Sequence, residues 1–303
     1  MSGPIPFDEL FDAKFLADVS RLRVIAKRVA SGGRFAEQRS KTKGSGLEFQ
    51  DYRPYSPGDE FRAIDWNLYR RLGKVFLRLF EELEDLPFYL FPDVSASTWF
   101  DDADGARSPR AIACLRTTLA LASIGSNQHD PVGVFPFSNE LATGLPMKAG
   151  KGRTYEVANY LASLSPGGTT DFKASFKRFA AMNKRQGLVC VVSDFFDPTG
   201  VEAVVDALRG LRHQLILVQL VRAGDRTPDL SGDLRLVDCE GGAFADVSVT
   251  RSVLDRYTAA YDAFHAELTE FCKRRGAGYV QLDVDQDLLG QLGVLFEGGR
   301  FVA

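Results

Sequence analysis

Five short apolar runs, Phe88–Pro92, Val132–Phe137, Leu188–Val192, Leu215–Val221 and Tyr279–Leu282, alternate along the chain with longer stretches whose apolar residues recur at helical spacing. Those stretches predict helices over Arg110–Ser126, Tyr155–Leu164, Phe172–Asn183, Val201–Leu211 and Val253–Arg274. Short, nearly continuous apolar runs suit strands buried on both faces, and a helix between successive strands lets them lie parallel. The pattern predicts an α/β fold: a Rossmann-type, largely parallel sheet with helices on both faces. Hairpins are expected over Leu141–Lys148, at a sheet edge, and over Leu234–Val249. At 303 residues the chain exceeds the roughly 250 at which single cores stop growing, so part of it should lie outside the main core.

The first 84 residues supply that part. Phe15–Ala30 reads as a basic amphipathic helix, with Arg21, Arg23, Lys27 and Arg28 among its apolar positions, and Ser31-Gly32-Gly33 ends it. Arg34 to Glu84 is turn-rich, with short aromatic segments and a strand-like run at Val75–Phe80, and reads as a β-rich arm. The expected organisation is a helix and arm at 1–84 followed by an α/β domain at 85–303. Residues 1–80 carry 15 Lys+Arg against 10 Asp+Glu, concentrated between Arg21 and Lys43. A solvated helix face accounts for this excess more simply than a nucleic-acid platform, because interleaved aromatic residues are mostly missing there.

Several function classes fall away. No apolar stretch approaches the roughly 20 residues of a spanning helix, and the longest strong run, Leu215–Val221, is interrupted by Gln219. Asp8, Glu9 and Asp12 argue against a signal peptide, so a cytoplasmic location is expected. Cys114, Cys190, Cys239 and Cys272 lie far apart and read as buried free thiols. His129, His213 and His265 adjoin no candidate nucleophile and form no H-E-x-x-H. Gly150-Lys151-Gly152-Arg153-Thr154 lacks the Walker spacing, and Asp283, Asp285 and Asp287 lack the Gly and distal Glu of a calcium loop.

Ligands of open α/β sheets gather beyond the carboxyl ends of the strands. There the first strand runs into Asp93-Val94-Ser95-Ala96-Ser97, Gly167-Gly168-Thr169-Thr170-Asp171 precedes a helix, and Ser193-Asp194 follows the apolar run Leu188–Val192. Asp93, Ser95, Ser97, Thr169 and Asp194 are hard oxygen donors that suit magnesium, or another divalent ion such as manganese or calcium. Thr170 competes with Thr169 for the same role.

These residues resemble, in type and order, the metal-ion-dependent adhesion site of von Willebrand factor A-type domains, which is D-x-S-x-S, then a Thr in a Gly-Gly-Thr loop, then an Asp after a central strand. The resemblance implies that the serines and Thr169 touch the ion while the aspartates often act through waters. In the arm, Arg53-Pro54-Tyr55-x-Pro57-Gly58-Asp59-x-x-Arg62-x-Ile64-Asp65-Trp66 resembles the signature of the bacterial domain-of-unknown-function 58 family, which precedes an A-type domain. Members of that family often accompany MoxR-type AAA+ ATPases. The chain departs from it in following D-x-S-x-S with Thr98-Trp99-Phe100 and an acidic loop, Asp101-Asp102-Ala103-Asp104, rather than with Met. Within the signature, Asp59 is placed to cap a short helix carrying Arg62 and Asp65, with Trp66 available for burial, so the motif reads as a structural latch.

The resulting expectation is a binding protein, not an enzyme, whose magnesium ion docks an acidic side chain of a partner. By the family resemblance that partner is a MoxR-type ATPase or its client. The alternatives are a metal-assisted hydrolase with Asp194 or Asp171 as base, and a nucleic-acid binder using the basic helix.

Overall fold

A computed structural model describes residues 3–30, 46–56, 59, 61, 64–83, 85–102, 105–150 and 152–297. The chain divides into two compact units, Met1–Val29 with Pro87–Ala303, and Ala30–Leu86. Helices α1 (Phe7–Leu10) and α2 (Ala13–Ala30) open the chain. The sequence reading groups them with the arm, whereas Arg116 ties them to the α/β unit. Its guanidinium donates to Leu10 O (2.7 Å) and the Asp12 carboxylate (3.1 Å) and lies 5.1 Å from the centre of the Phe15 ring. Most of the basic stretch from Arg21 to Lys43 lies outside the described side chains.

In the arm, β1 (Gly46–Pro54) is followed by α3 (Trp66–Leu72) and by β2 (Phe76–Leu83), which pairs antiparallel with β1. The cap of α3 is Asp65, and the short helix expected directly after Asp59 falls largely outside the described residues. Asp65 Oδ1 accepts from the N–H groups of Asn67 (2.9 Å) and Leu68 (3.0 Å), and Oδ2 accepts from the Tyr52 hydroxyl (3.0 Å). Asp59 accepts from Arg53 Nη2 (2.7 Å) and the Ser56 N–H (2.8 Å). With the cap at Asp65, Trp66 opens a helix that buries none of its residues, and it is 58% exposed rather than buried. Pro57, Gly58 and Arg62 lie outside the described residues.

The α/β unit continues with β3 (Phe88–Pro92), α4 (Pro109–Asn127), β4 (Val132–Val134), β5 (Leu145–Lys148), α5 (Arg153–Ala162), α6 (Phe172–Ala181), β6 (Leu188–Ser193) and α7 (Val201–Arg209). It closes with β7 (Gln214–Val221), α8 (Ala223–Arg226), β8 (Gly232–Val237), β9 (Phe244–Val249), α9 (Arg251–Arg275), β10 (Gly278–Asp283) and α10 (Leu288–Glu297). Six strands form one sheet in the order β10-β7-β6-β3-β4-β5, parallel except for β5. After β3 the chain builds β4 and β5 on one side and then returns to place β6 on the other, so the switch point of the topology lies between β3 and β6.

One face of the sheet carries an aromatic core. Phe91 stands 5.0 Å from Phe176, 4.8 Å from Phe179 and 5.5 Å from Phe135, and Val204, Leu208 and Leu268 of α7 and α9 complete the layer. On the opposite face α4, started by Ser108 and Pro109, is buried from Thr117 to Gly125 between the sheet and helices α5 and α10.

Two expected details change. Leu141 bridges Phe137, and β5 pairs back onto β4 with Lys148 opposite Val132, so Leu141–Lys148 is not a hairpin of its own. Gly144 permits this, since a Cβ there would stand 2.1 Å from Val134 O. Cys239 is exposed on the turn between β8 and β9, while Cys114, Cys190 and Cys272 are buried free thiols. The β8–β9 pair is a hairpin apart from the main sheet, exposed along most of both strands.

Candidate functional site

The backbone of Asp93 continues the ladder beyond β3, its N–H donating to Val192 O (3.0 Å). This buries the side chain completely at the switch point. Asp93 Oδ1 accepts from the Ser95 N–H (2.9 Å), closing a local turn, and Oδ2 accepts from the Ser193 hydroxyl (2.5 Å) at the end of β6. Ser193 Oγ in turn accepts from the Phe195 N–H (2.8 Å), and Asp194 Oδ1 accepts from the Phe196 N–H (3.1 Å). Phe195 takes φ 64, uncommon for a bulky residue, and its buried ring stacks on Phe172 at 5.7 Å. That turn fixes Asp194, itself 4% exposed, beside Asp93.

A third segment is pinned to the first from both directions. The Ala96 N–H donates to Gly168 O (3.0 Å), and the Gly167 N–H donates to Val94 O (2.8 Å). Gly168 has φ 69, and a Cβ on it would stand 2.9 Å from Asn139 Oδ1, so the loop depends on glycine there. Thr169, the threonine first named from the sequence, is exposed, and Thr170 is buried. Thr170 is the threonine whose hydroxyl converges with that of Ser97, and Ser97 Oγ lies 3.1 Å from Ser95 Oγ. Asp171 turns away to cap α6, accepting from the Ala174 N–H (2.7 Å).

A residue that sequence reasoning passed over completes the arrangement. Glu240, on the turn between β8 and β9, accepts from the Ser97 hydroxyl (2.6 Å) and the Thr170 hydroxyl (2.8 Å) through Oε1, and from the Thr170 N–H (3.0 Å) through Oε2. It stands 143 positions from Ser97 and 70 from Thr170, in a hairpin with no motif, so no local signal marks it.

Burial, with a smaller contribution from the charge of Glu240, pushes the Asp93 carboxyl up to about 6 against the pull of hydrogen bonds from Ser193 and Ser95. Burial and then the charge of Asp93 push Asp194 up to about 7, partly offset by the Arg110 guanidinium. Arg110 is itself engaged by Asp225. Two buried carboxyls with three neighbouring hydroxyls, Ser95, Ser97 and Thr170, form an all-oxygen donor set suited to a hard divalent cation.

The other candidates have structural occupations. Buried Arg153 ties α5 to β4 by donating to Val132 O (3.0 Å from Nε). Asp285 pairs with Arg222 (3.1 Å). His213 packs against Tyr89 and Phe179, and His265 meets Gln281 (2.7 Å).

Comparison with known proteins agrees with the resemblance of the arm motif. Uncharacterized proteins of Mycobacterium bovis and Mycobacterium tuberculosis are each 24% identical over 288 residues, covering 94% of this chain and 89% of theirs. Among solved structures, the conserved hypothetical protein BatB from Bacteroides thetaiotaomicron matches 71% of this chain and 98% of its own at 16% identity, with a TM-score of 0.40. An aerotolerance-related membrane protein from Bacteroides fragilis matches 62% of this chain and 99% of its own at 17% identity, with a TM-score of 0.35. The model of the family described as protein of unknown function DUF58 matches residues 51–267. This chain belongs to the DUF58 family.

Proposed function

We propose that this protein is a docking protein rather than an enzyme, and that Asp93, Ser95, Ser97, Thr170 and Asp194 hold a magnesium ion that receives an acidic side chain of a protein partner. The observation that carries this reading is the meeting, at one switch point, of two buried carboxyls from adjacent strands with the Ser95, Ser97 and Thr170 hydroxyls. Magnesium is usually held by one or two carboxylates and keeps several waters, so such a set leaves a position for an incoming carboxylate. The resemblance of the arm motif favours a MoxR-type AAA+ ATPase, or a client it matures, as that partner. Thr170 takes the place first given to Thr169 because its hydroxyl meets that of Ser97 through a shared carboxylate.

Manganese titration followed by electron paramagnetic resonance tests the cation. The intact protein should bind one ion, and Asp93→Ala and Asp194→Ala should each weaken binding by roughly 10–100-fold, as for carboxylates that support the ion through waters. Partner recovery from lysate should then depend on magnesium and be lost in EDTA and in Asp93→Ala. Recovery indifferent to both would sink the docking role. A hydrolytic use of the same site would cast the buried Asp194 carboxyl at the end of β6 as the base. Turnover of phosphoesters abolished by Asp194→Ala would reverse the order of the two readings. Among the described residues no helix is long and apolar enough to cross a membrane.

A further inference from the structure

The geometry points to Glu240 as a tethered ligand of this site: the β8–β9 turn places a carboxylate where a partner's acidic side chain would dock, so the protein closes its own site until that turn is displaced. The inference rests on the docking-site reading above and adds to it a means of regulation.

Three features of the chain support it. First, Glu240 accepts from Ser97 Oγ, Thr170 Oγ1 and Thr170 N, so both oxygens of one carboxylate are engaged by two donors of the site. A hydroxyl that donates its hydrogen to a carboxylate keeps its lone pairs for a cation, so these bonds and metal ligation are compatible on the same oxygens.

Second, the turn is shaped to present this side chain. Asp238 accepts from the N–H groups of Glu240 (3.0 Å) and Gly241 (2.8 Å), and the Asp238 N–H donates to Ala243 O (2.7 Å). The strands behind it form a two-stranded sheet of their own with most residues exposed, and a lone hairpin is marginally stable in water. A hairpin so weakly held can be released at little cost.

Third, the charges agree. A third carboxylate beside buried Asp93 and Asp194 is repelled by them, and Arg110, whose charge acts on Asp194, is engaged by Asp225. A divalent ion among the three removes that repulsion and converts it into attraction for Glu240.

The test compares the intact protein with Glu240→Ala and Glu240→Gln, using manganese as the cation and acetate as a free carboxylate. The intact protein should bind manganese with an affinity indifferent to millimolar acetate. Both variants should bind about tenfold more weakly, in line with the loss of one supporting carboxylate. Acetate should restore Glu240→Ala towards the intact value. In hydrogen exchange, amides 238–242 should gain protection on adding manganese to the intact protein and gain none in either variant. Equal affinities in all three proteins, with exchange of the turn unaffected by manganese, would overturn the tethered ligand and leave the docking site standing. Failure of the intact protein to bind manganese would overturn the docking site and this inference together. Circular dichroism of the variants separates both outcomes from misfolding.

Discussion

At the scale of single residues, the pair Asp93 and Asp194 sets the chemistry. Both carboxyls are ordinarily near 3.8 and are raised in the fold, to about 6 and about 7, chiefly by burial. Because folding favours their protonated forms, their contribution to stability is fully present below the ordinary value and is lost as pH rises through the two folded values. Cation-free protein in EDTA should therefore melt at a lower temperature near pH 8 than near pH 5. Asp194→Asn, which keeps a neutral side chain of the same shape, should flatten that slope, and a slope unchanged in this variant would mean that other groups carry it. Position by position, the site was only partly readable in the sequence. Asp93, Ser95, Ser97 and Asp194 lie at strand ends, where the end of an apolar run marks the spot. The choice between Thr169 and Thr170 turns on Gly168, whose left-handed backbone leaves the first threonine exposed and the second buried. Nothing in the spacing of those letters encodes that rotation.

At the scale of elements, the apolar runs were legible because burial on both faces leaves no alternation to confuse them, and β3 is buried at every position. Pairing was less so. The short β5 has one half-buried face and joins β4 only because Gly144 lets two backbones approach, a contact between segments that no local pattern announces. Helix caps are similarly exact to one residue: Asp65 starts α3, which places Trp66 in an exposed first turn rather than in the core. The element on which the site most depends is α6, which follows the Thr170 loop directly. Its Phe176 contacts Phe91, Phe137 and Phe172 at centroid distances of 5.0, 5.6 and 5.7 Å. Truncation to Ala leaves a cavity between helix and sheet, and Phe176→Ala should cost about 3–5 kcal/mol in urea unfolding. A loss below about 1 kcal/mol would mean that α6 is not packed on β3 as described.

At the scale of the whole molecule, cation binding and folding are linked. An ion that binds only the folded chain stabilises it by about 2.7 kcal/mol when present at a hundredfold over its dissociation constant. For a unit of this size, about 1 kcal/mol moves the melting midpoint by roughly 2–4 °C, so saturating magnesium should raise it by several degrees. The gain should grow from about pH 5 to about pH 8, because the ion requires the ionised carboxylates that the cation-free fold disfavours. Asp194→Ala should show no gain at either pH. The two-unit organisation makes the expectation sharper. Asp93, Thr170, Asp194 and Glu240 all belong to the unit formed by Met1–Val29 and Pro87–Ala303, and none belongs to Ala30–Leu86. Hydrogen exchange should accordingly slow on adding magnesium at residues 93–98, 167–171, 193–196 and 238–242, and stay unchanged at 46–56 and 64–83 in the arm. Equal slowing in both units would show that magnesium acts on the chain generally, as a salt does, and not through the carboxylates at the end of β3 and β6.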